Sequence, residues 1–157
     1  MYLPDDLYNQ IEQSMPITCV DFIEVTDAGI GLILRESPFG RVWCHLGGRI
    51  ERGETIADAL RRHTRDTLAV DLELPADPQP GYVYQWFPDD IRPDDGLDHG
   101  NDPRKHAIGL SFVVNFVGTP EPQNEALDYQ HFALDALPDL LWPGTAELLR
   151  KLGVAFG

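Results

Sequence analysis

Basic residues are scarce in this 157-residue chain: 12 Lys and Arg stand against 26 Asp and Glu, for a formal charge of −14. Holding nucleic acid takes a basic surface that neutralises phosphates, and none is written here, so nucleic acid is not the expected partner. A small anionic ligand remains open, because a few arginines in a cleft can hold a diphosphate against the global sign. Cysteine is rare too. Cys19 and Cys44 each sit in an apolar run, outside any redox or metal spacing, and read as reduced, buried thiols. Long hydrophobic runs are missing, and nothing approaches the roughly 20 residues of a membrane span. The stretch from Met1 to Asp6 also lacks the basic and then apolar pattern of a secretory signal. The expectation is a cytoplasmic protein with no membrane partner.

What is present is a globular composition, 43% hydrophobic and 24% charged, enough to close one core in a single domain spanning 1–157. Pro4, Asp5 and Asp6 suit a helix start, with Leu7, Ile11 and Met15 on one stripe and Pro16 as the stop. Strands are expected from Ile17 to Val25 and from Ile30 to Leu34, joined by a turn at Asp27-Ala28-Gly29, and from Val42 to Leu46. The period then changes. Ile56, Leu60, Thr64 and Leu68 form the stripe of a helix over 55–68. Further strands are expected near 82–87, 108–117 and 129–134, with a closing helix over 146–152 between Pro143 and Gly153. Residues 88–105, rich in Asp, Pro and Gly, read as an acidic, mobile loop. Strands flanking a central helix indicate a mixed α/β (α+β) fold.

The chemistry concentrates in Gly47-Gly48-Arg49-Ile50-Glu51-Arg52-Gly53-Glu54 and the helix that carries Arg62. A strand, a glycine-containing loop and a helix in that order expose backbone groups and allow close approach of a phosphate. This segment resembles the signature of the Nudix hydrolases. That signature runs Gly, five residues, Glu, seven residues, then Arg-Glu-apolar-x-Glu-Glu-x-Gly. Gly48, Glu54 and Arg62 match it in identity and spacing. His63, Asp66, Thr67 and Ala69 stand where Glu, Glu, Glu and Gly are expected, and Thr64 holds the apolar position. A wider similarity to the GDP-mannose mannosyl hydrolase branch spans nearly the whole chain. It rests on Leu3 and Asp6, Pro16, Asp21-Phe22-Ile23, Arg35, Trp43, Gly47-Gly48-Arg49, Tyr84-Gln85, Phe87, Asp89 and Asp128-Tyr129.

The resemblance implies an α/β/α sandwich around a mixed central sheet, and a metal-dependent hydrolase of a nucleoside diphosphate-linked substrate such as a nucleotide sugar. It assigns Arg35 and Arg49 to the diphosphate and Asp21 to the substrate. Gly47, Gly48, Glu54 and Arg62 become the structural motif, the last two as an ion pair. Mg²⁺ or Mn²⁺ would sit on Asp66, Glu125 and the Gly47 carbonyl, with Asp66 and Glu125 as the catalytic carboxylates. The branch dimerises, and the apolar stripe of the first helix fits a homodimer.

Departures from the pattern set a second reading beside the first. Thr67 replaces a glutamate that ligates metal in the branch, and Ala126 stands where the branch has its general-base histidine. Trp86 and Ala107 fall near the positions of its site histidine and tyrosine. A catalytically inactive Nudix-fold module that binds a nucleotide sugar explains these changes without compensation.

Overall fold

The computed structural model describes residues 2–153. In chain order the elements are α1 (Asp5–Ser14), β1 (Ile17–Thr26), β2 (Gly29–Ser37), β3 (Gly40–Cys44), β4 (Leu46–Arg49), α2 (Ile56–Leu68), β5 (Asp71–Glu73), β6 (Tyr82–Phe87), β7 (Gly100–Asn101), β8 (Ala107–Val117), β9 (Asp128–Phe132) and α3 (Thr145–Lys151). The architecture is mixed α+β, with a sheet ordered β3-β2-β1-β8-β6-β7; β4 pairs with β1, β5 with β8 and β9 with β2. The long central strands β1 and β8 run parallel from Ile17↔Ala107 to Glu24↔Val114. Most other pairings are antiparallel.

Burial along β1 explains the layering. Val20, Asp21, Phe22 and Ile23 are all buried, although alternate residues of a strand face opposite sides. Both faces of the sheet are therefore covered. One core joins Val20, Phe22 and Leu46 to Leu60 and Leu68 of α2. The other joins Ile23, Ile30 and Leu32 to Leu149 of α3.

Helix α2 starts where its chemistry says it should. The Thr55 side chain accepts a hydrogen bond from the Asp58 amide at 3.0 Å, capping the first turn. It ends on Ala69, a left-handed residue at φ +56°, a conformation that normally selects glycine. Helix α1 buries no residue fully, and Ile11 only packs against the edge of the first core.

Two sequence expectations change. The strand expected over 42–46 divides at His45 because the chain changes partner there. β3 pairs with β2, ending at Ile33↔Cys44, while β4 crosses to β1, with Phe22↔Leu46 through Cys19↔Arg49. Residues 88–105 are also more than a loop. They contain a 3-10 turn (Asp89–Ile91) and β7, which runs parallel to β6. Arg92 donates to the carbonyls of His99 (2.5 Å) and Gly100 (3.3 Å), and Trp142 Nε1 donates to Asn101 O at 2.7 Å. His99 and Asp102 are buried.

Candidate functional site

The strand crossing at His45 opens a cleft, continuous with solvent, beside the N-terminal half of β1. Asp21 lies at its wall, in the middle of the sheet. Its Oδ2 accepts from Trp86 Nε1 at 3.0 Å, and its Oδ1 lies 3.3 Å from His45 Nε2. Gly47 and Gly109 flank this carboxylate so closely that a β-carbon at either position would collide with it. The two glycines thus serve the packing of Asp21: Gly47 lets β4, and Gly109 lets β8, pair with β1 on either side of it.

His45 stacks on Trp86 with 5.2 Å between ring centroids. Its Nδ1 lies 3.4 Å from Thr145 Oγ1 and 3.5 Å from Cys44 Sγ. Burial opposes a charged imidazole, but Cys44 and the Asp21 carboxylate outweigh it and push the pKa up to about 10. Cys19, also on the cleft wall, is the opposite case: burial, and then Asp21, push its thiol up to about 12, so it stays protonated.

Three cations converge on the cleft: Arg35, Arg104 and Lys105. Arg35 Nη1 pairs with Glu125 Oε2 at 3.1 Å. Arg104 grips Asp102 with two parallel bonds, Nε to Oδ1 and Nη2 to Oδ2, each 3.0 Å, and its backbone amide donates to the same carboxylate at 2.9 Å. Both guanidinium groups lie over the Trp142 ring, at 5.3 and 5.2 Å from its centroid. Lys105 Nζ reaches the Tyr8 hydroxyl at 3.5 Å. These three cations stand against the carboxylates of Asp21, Asp102 and Glu125, a gathering of basic side chains on a chain whose formal charge is −14.

The motif residues form a scaffold beside this cleft. Arg62 holds Glu54 with two bonds, Nε to Oε2 at 2.7 Å and Nη2 to Oε1 at 2.9 Å, and also donates to the Arg49 carbonyl at 3.0 Å. Glu54 in turn accepts from the Glu51 amide at 3.0 Å, closing the loop between β4 and α2. The Arg62 guanidinium holds the Glu54 carboxyl down at about 2. Gly48 is packed against the His63 ring, which leaves no room for a β-carbon. His63 Nε2 donates to Arg49 O at 3.0 Å, and burial lowers the pKa of this imidazole.

The residues expected to hold a divalent cation do not fit one. Mg²⁺ needs several hard oxygen ligands converging in near-octahedral geometry. On α2, His63 is committed to Arg49 O, Thr67 is buried, and Asp66 is exposed and does not line the cleft. Glu125 and Gly47 do line it, but Glu125 is paired with Arg35. Among the described residues no group of three or more His, Cys, Asp or Glu side chains is arranged to bind a metal ion.

Of the residues singled out from sequence, Asp21, Arg35, Gly47, Gly48 and Glu125 meet at the cleft. Glu54 and Arg62 meet each other. Arg49 does not line the cleft; its guanidinium lies over the Tyr8 ring at 5.2 Å. Trp86, which sequence had set near a site position of the branch, and Asp102 of the acidic segment also line the cleft, and His45, Arg104, Lys105 and Trp142 are added by the structure. The available signal for Arg104-Lys105 was a basic pair closing an otherwise acidic segment.

Comparison with known proteins agrees with this architecture. The chain is 29% identical over 133 residues to the low-salt glycan biosynthesis protein Agl8 of Haloferax volcanii, covering 84% of this chain and 77% of the relative. A possible asymmetric diadenosine tetraphosphate hydrolase from Jonesia denitrificans superposes with a TM-score of 0.73 at 27% identity, over 89% of this chain and 96% of that one. The MutT Nudix hydrolase of Burkholderia pseudomallei superposes with a TM-score of 0.69 at 23% identity, over 88% and 98% of the two chains. Nudix hydrolases recur among the structural neighbours, matching the family resemblance read from the Gly48, Glu54 and Arg62 spacing. Residues 2–141 match the family model described as Domain of unknown function (DUF4916), so the chain belongs to that family and carries it on a Nudix fold.

Proposed function

We propose that this chain is a hydrolase of a nucleoside diphosphate derivative, of the nucleotide-sugar class, bound in the cleft beside Asp21. The observation that carries this reading is the convergence of Arg35, Arg104 and Lys105 on one cleft of an otherwise acidic chain. Guanidinium groups match phosphate oxygens through paired, charge-assisted bonds. In hydrolysis the same groups stabilise the charge that develops on a departing diphosphate. The neighbour named as a possible asymmetric diadenosine tetraphosphate hydrolase supports the diphosphate link. The relative named for glycan biosynthesis supports the sugar.

A second reading, a binding module without turnover, is favoured by α2, where His63 and Thr67 replace the signature's glutamates. Purified protein incubated with a panel of nucleotide sugars and dinucleoside polyphosphates separates the two. A free nucleoside diphosphate with sugar means attack at carbon, and a monophosphate means attack at phosphorus. Stabilisation by a nucleotide sugar without any product would select the binding module, and neither product nor stabilisation would reject both.

Leu7 exposed on α1, with the exposed Tyr2 and Met15 flanking the helix, supports a homodimer formed there, to be checked by solution mass. No helix among the described residues is long and apolar enough to cross a membrane. Cys19 and Cys44 are both free thiols, which supports placing the chain in the cytoplasm.

A further inference from the structure

We infer that the charge a divalent cation would bring to a bound diphosphate comes here from Arg104 and Lys105, acting with Arg35, so that diphosphate binding is metal-independent. The inference rests on the proposed diphosphate site and adds what neutralises its ligand. A diphosphate needs several positive charges close to its oxygens, and a cation can supply them only where the protein presents spare oxygen ligands. This cleft has few to spare. Its Glu125 carboxylate is held by Arg35 at 3.1 Å, and Asp102 is 5% exposed and committed to Arg104 through three hydrogen bonds. Asp21 is likewise occupied by Trp86 and His45. Apart from the second oxygen of Glu125, a metal ion arriving here would gain carboxylate ligands only by breaking bonds already made.

The same contacts suit a phosphate. Asp102 engages Nε and Nη2 of Arg104 and leaves Nη1 without a hydrogen-bond partner among the described residues, on a side chain that Trp142 supports from one face. Holding the fork in place lowers the side-chain entropy lost when it binds an anion. Lys105 is the next residue, and among the described residues it forms no ion pair. Asp102 is thus a positioning residue: it fixes Arg104 and does not itself meet the ligand.

Isothermal titration of the full chain with GDP, UDP and ADP, in EDTA and again in millimolar MgCl₂, tests this directly. At least one diphosphate should bind in EDTA, with a Kd that Mg²⁺ changes by less than about threefold. Arg104→Gln should weaken that binding by about tenfold or more, equivalent to roughly 1.4 kcal/mol. Lys105→Gln, which touches neither Trp142 nor Asp102, should weaken it severalfold and guards against misfolding of the first variant. Asp102→Asn should lower affinity while Arg104 remains, a loss a merely structural Arg104 would not transmit. Binding only in Mg²⁺, or a gain above tenfold on adding it, would overturn metal independence and leave the proposed site intact. Unchanged affinity in both Arg104→Gln and Lys105→Gln would overturn the assignment of these residues. No binding in either buffer would remove the diphosphate site and this inference with it.

Discussion

Replacing Arg62 with methionine keeps the aliphatic stem and deletes the guanidinium. Three hydrogen bonds go with it: two to Glu54, at 2.7 and 2.9 Å, and one to the Arg49 carbonyl at 3.0 Å. Charge-assisted bonds are worth about 1.5–3 kcal/mol each when isolated. The Arg62 side chain is 28% exposed and Glu54 12%, so water restores part of the loss and the three do not add. The expected destabilisation at neutral pH is about 2–3 kcal/mol, or roughly 4–12 °C in Tm for a domain of this size. The pH dependence is the sharper arm. Arg62 holds the Glu54 carboxyl from its usual 4.5 down to about 2 in the folded protein. A depressed folded pKa means the contribution is complete above the unfolded value and is lost as pH falls through the folded one. Urea denaturation should therefore show the gap between wild type and Arg62→Met narrowing from pH 4.5 towards 2. A gap below about 0.5 kcal/mol at neutral pH, or one that stays constant across that window, would refute the ion pair as the clasp of the loop.

Three shorter predictions test other parts of the argument. Ala69 closes α2 at φ +56°, so Ala69→Gly should relieve left-handed strain and raise stability by about 0.5–1 kcal/mol in a chemical melt; a loss of stability would contradict it. Trp86→Phe removes the donor to the buried Asp21 Oδ2 and should cost about 1–3 kcal/mol by urea denaturation, whereas a neutral outcome would mean that carboxylate is satisfied otherwise. In a Cys44→Ser background, Cys19 should be inert to a thiol reagent at mildly alkaline pH until the protein is unfolded, because burial and Asp21 keep it protonated; rapid labelling of the native form would refute that.

Local signals carried much of the fold. Helix α2 was readable because its period, its Thr55 cap and its apolar stripe all lie within fourteen residues, Thr55 to Leu68. Strand β6 was placed at its observed ends, Tyr82 and Phe87, and β8 within one residue of its own, since apolar, β-branched and aromatic runs mark buried strands whatever their neighbours. The Glu54–Arg62 pair, implied by the Nudix resemblance, is present. Other elements exist only through distant partners. The sequence Leu46-Gly47-Gly48-Arg49 has little strand propensity, and it forms β4 because β1 offers a free edge there. The two residues of β7 form against the end of β6 for the same reason.

The site divides along the same line. Sequence alone determined the chemical inventory: an acidic chain with few cations, a glycine-rich turn before a helix, and an α2 stripped of its metal-binding glutamates. Which cations face the ligand was decided by tertiary structure, because the direction of a long side chain depends on what packs beside it. Arg49 turns to Tyr8 and leaves the cleft, while Arg104, 55 positions later, is drawn into it by a buried Asp102 and the face of Trp142. Asp102 is only two residues from Arg104, but the contacts with Trp142 and Tyr8 are too distant in the chain to be read from spacing, and they decide where the positive charge lies.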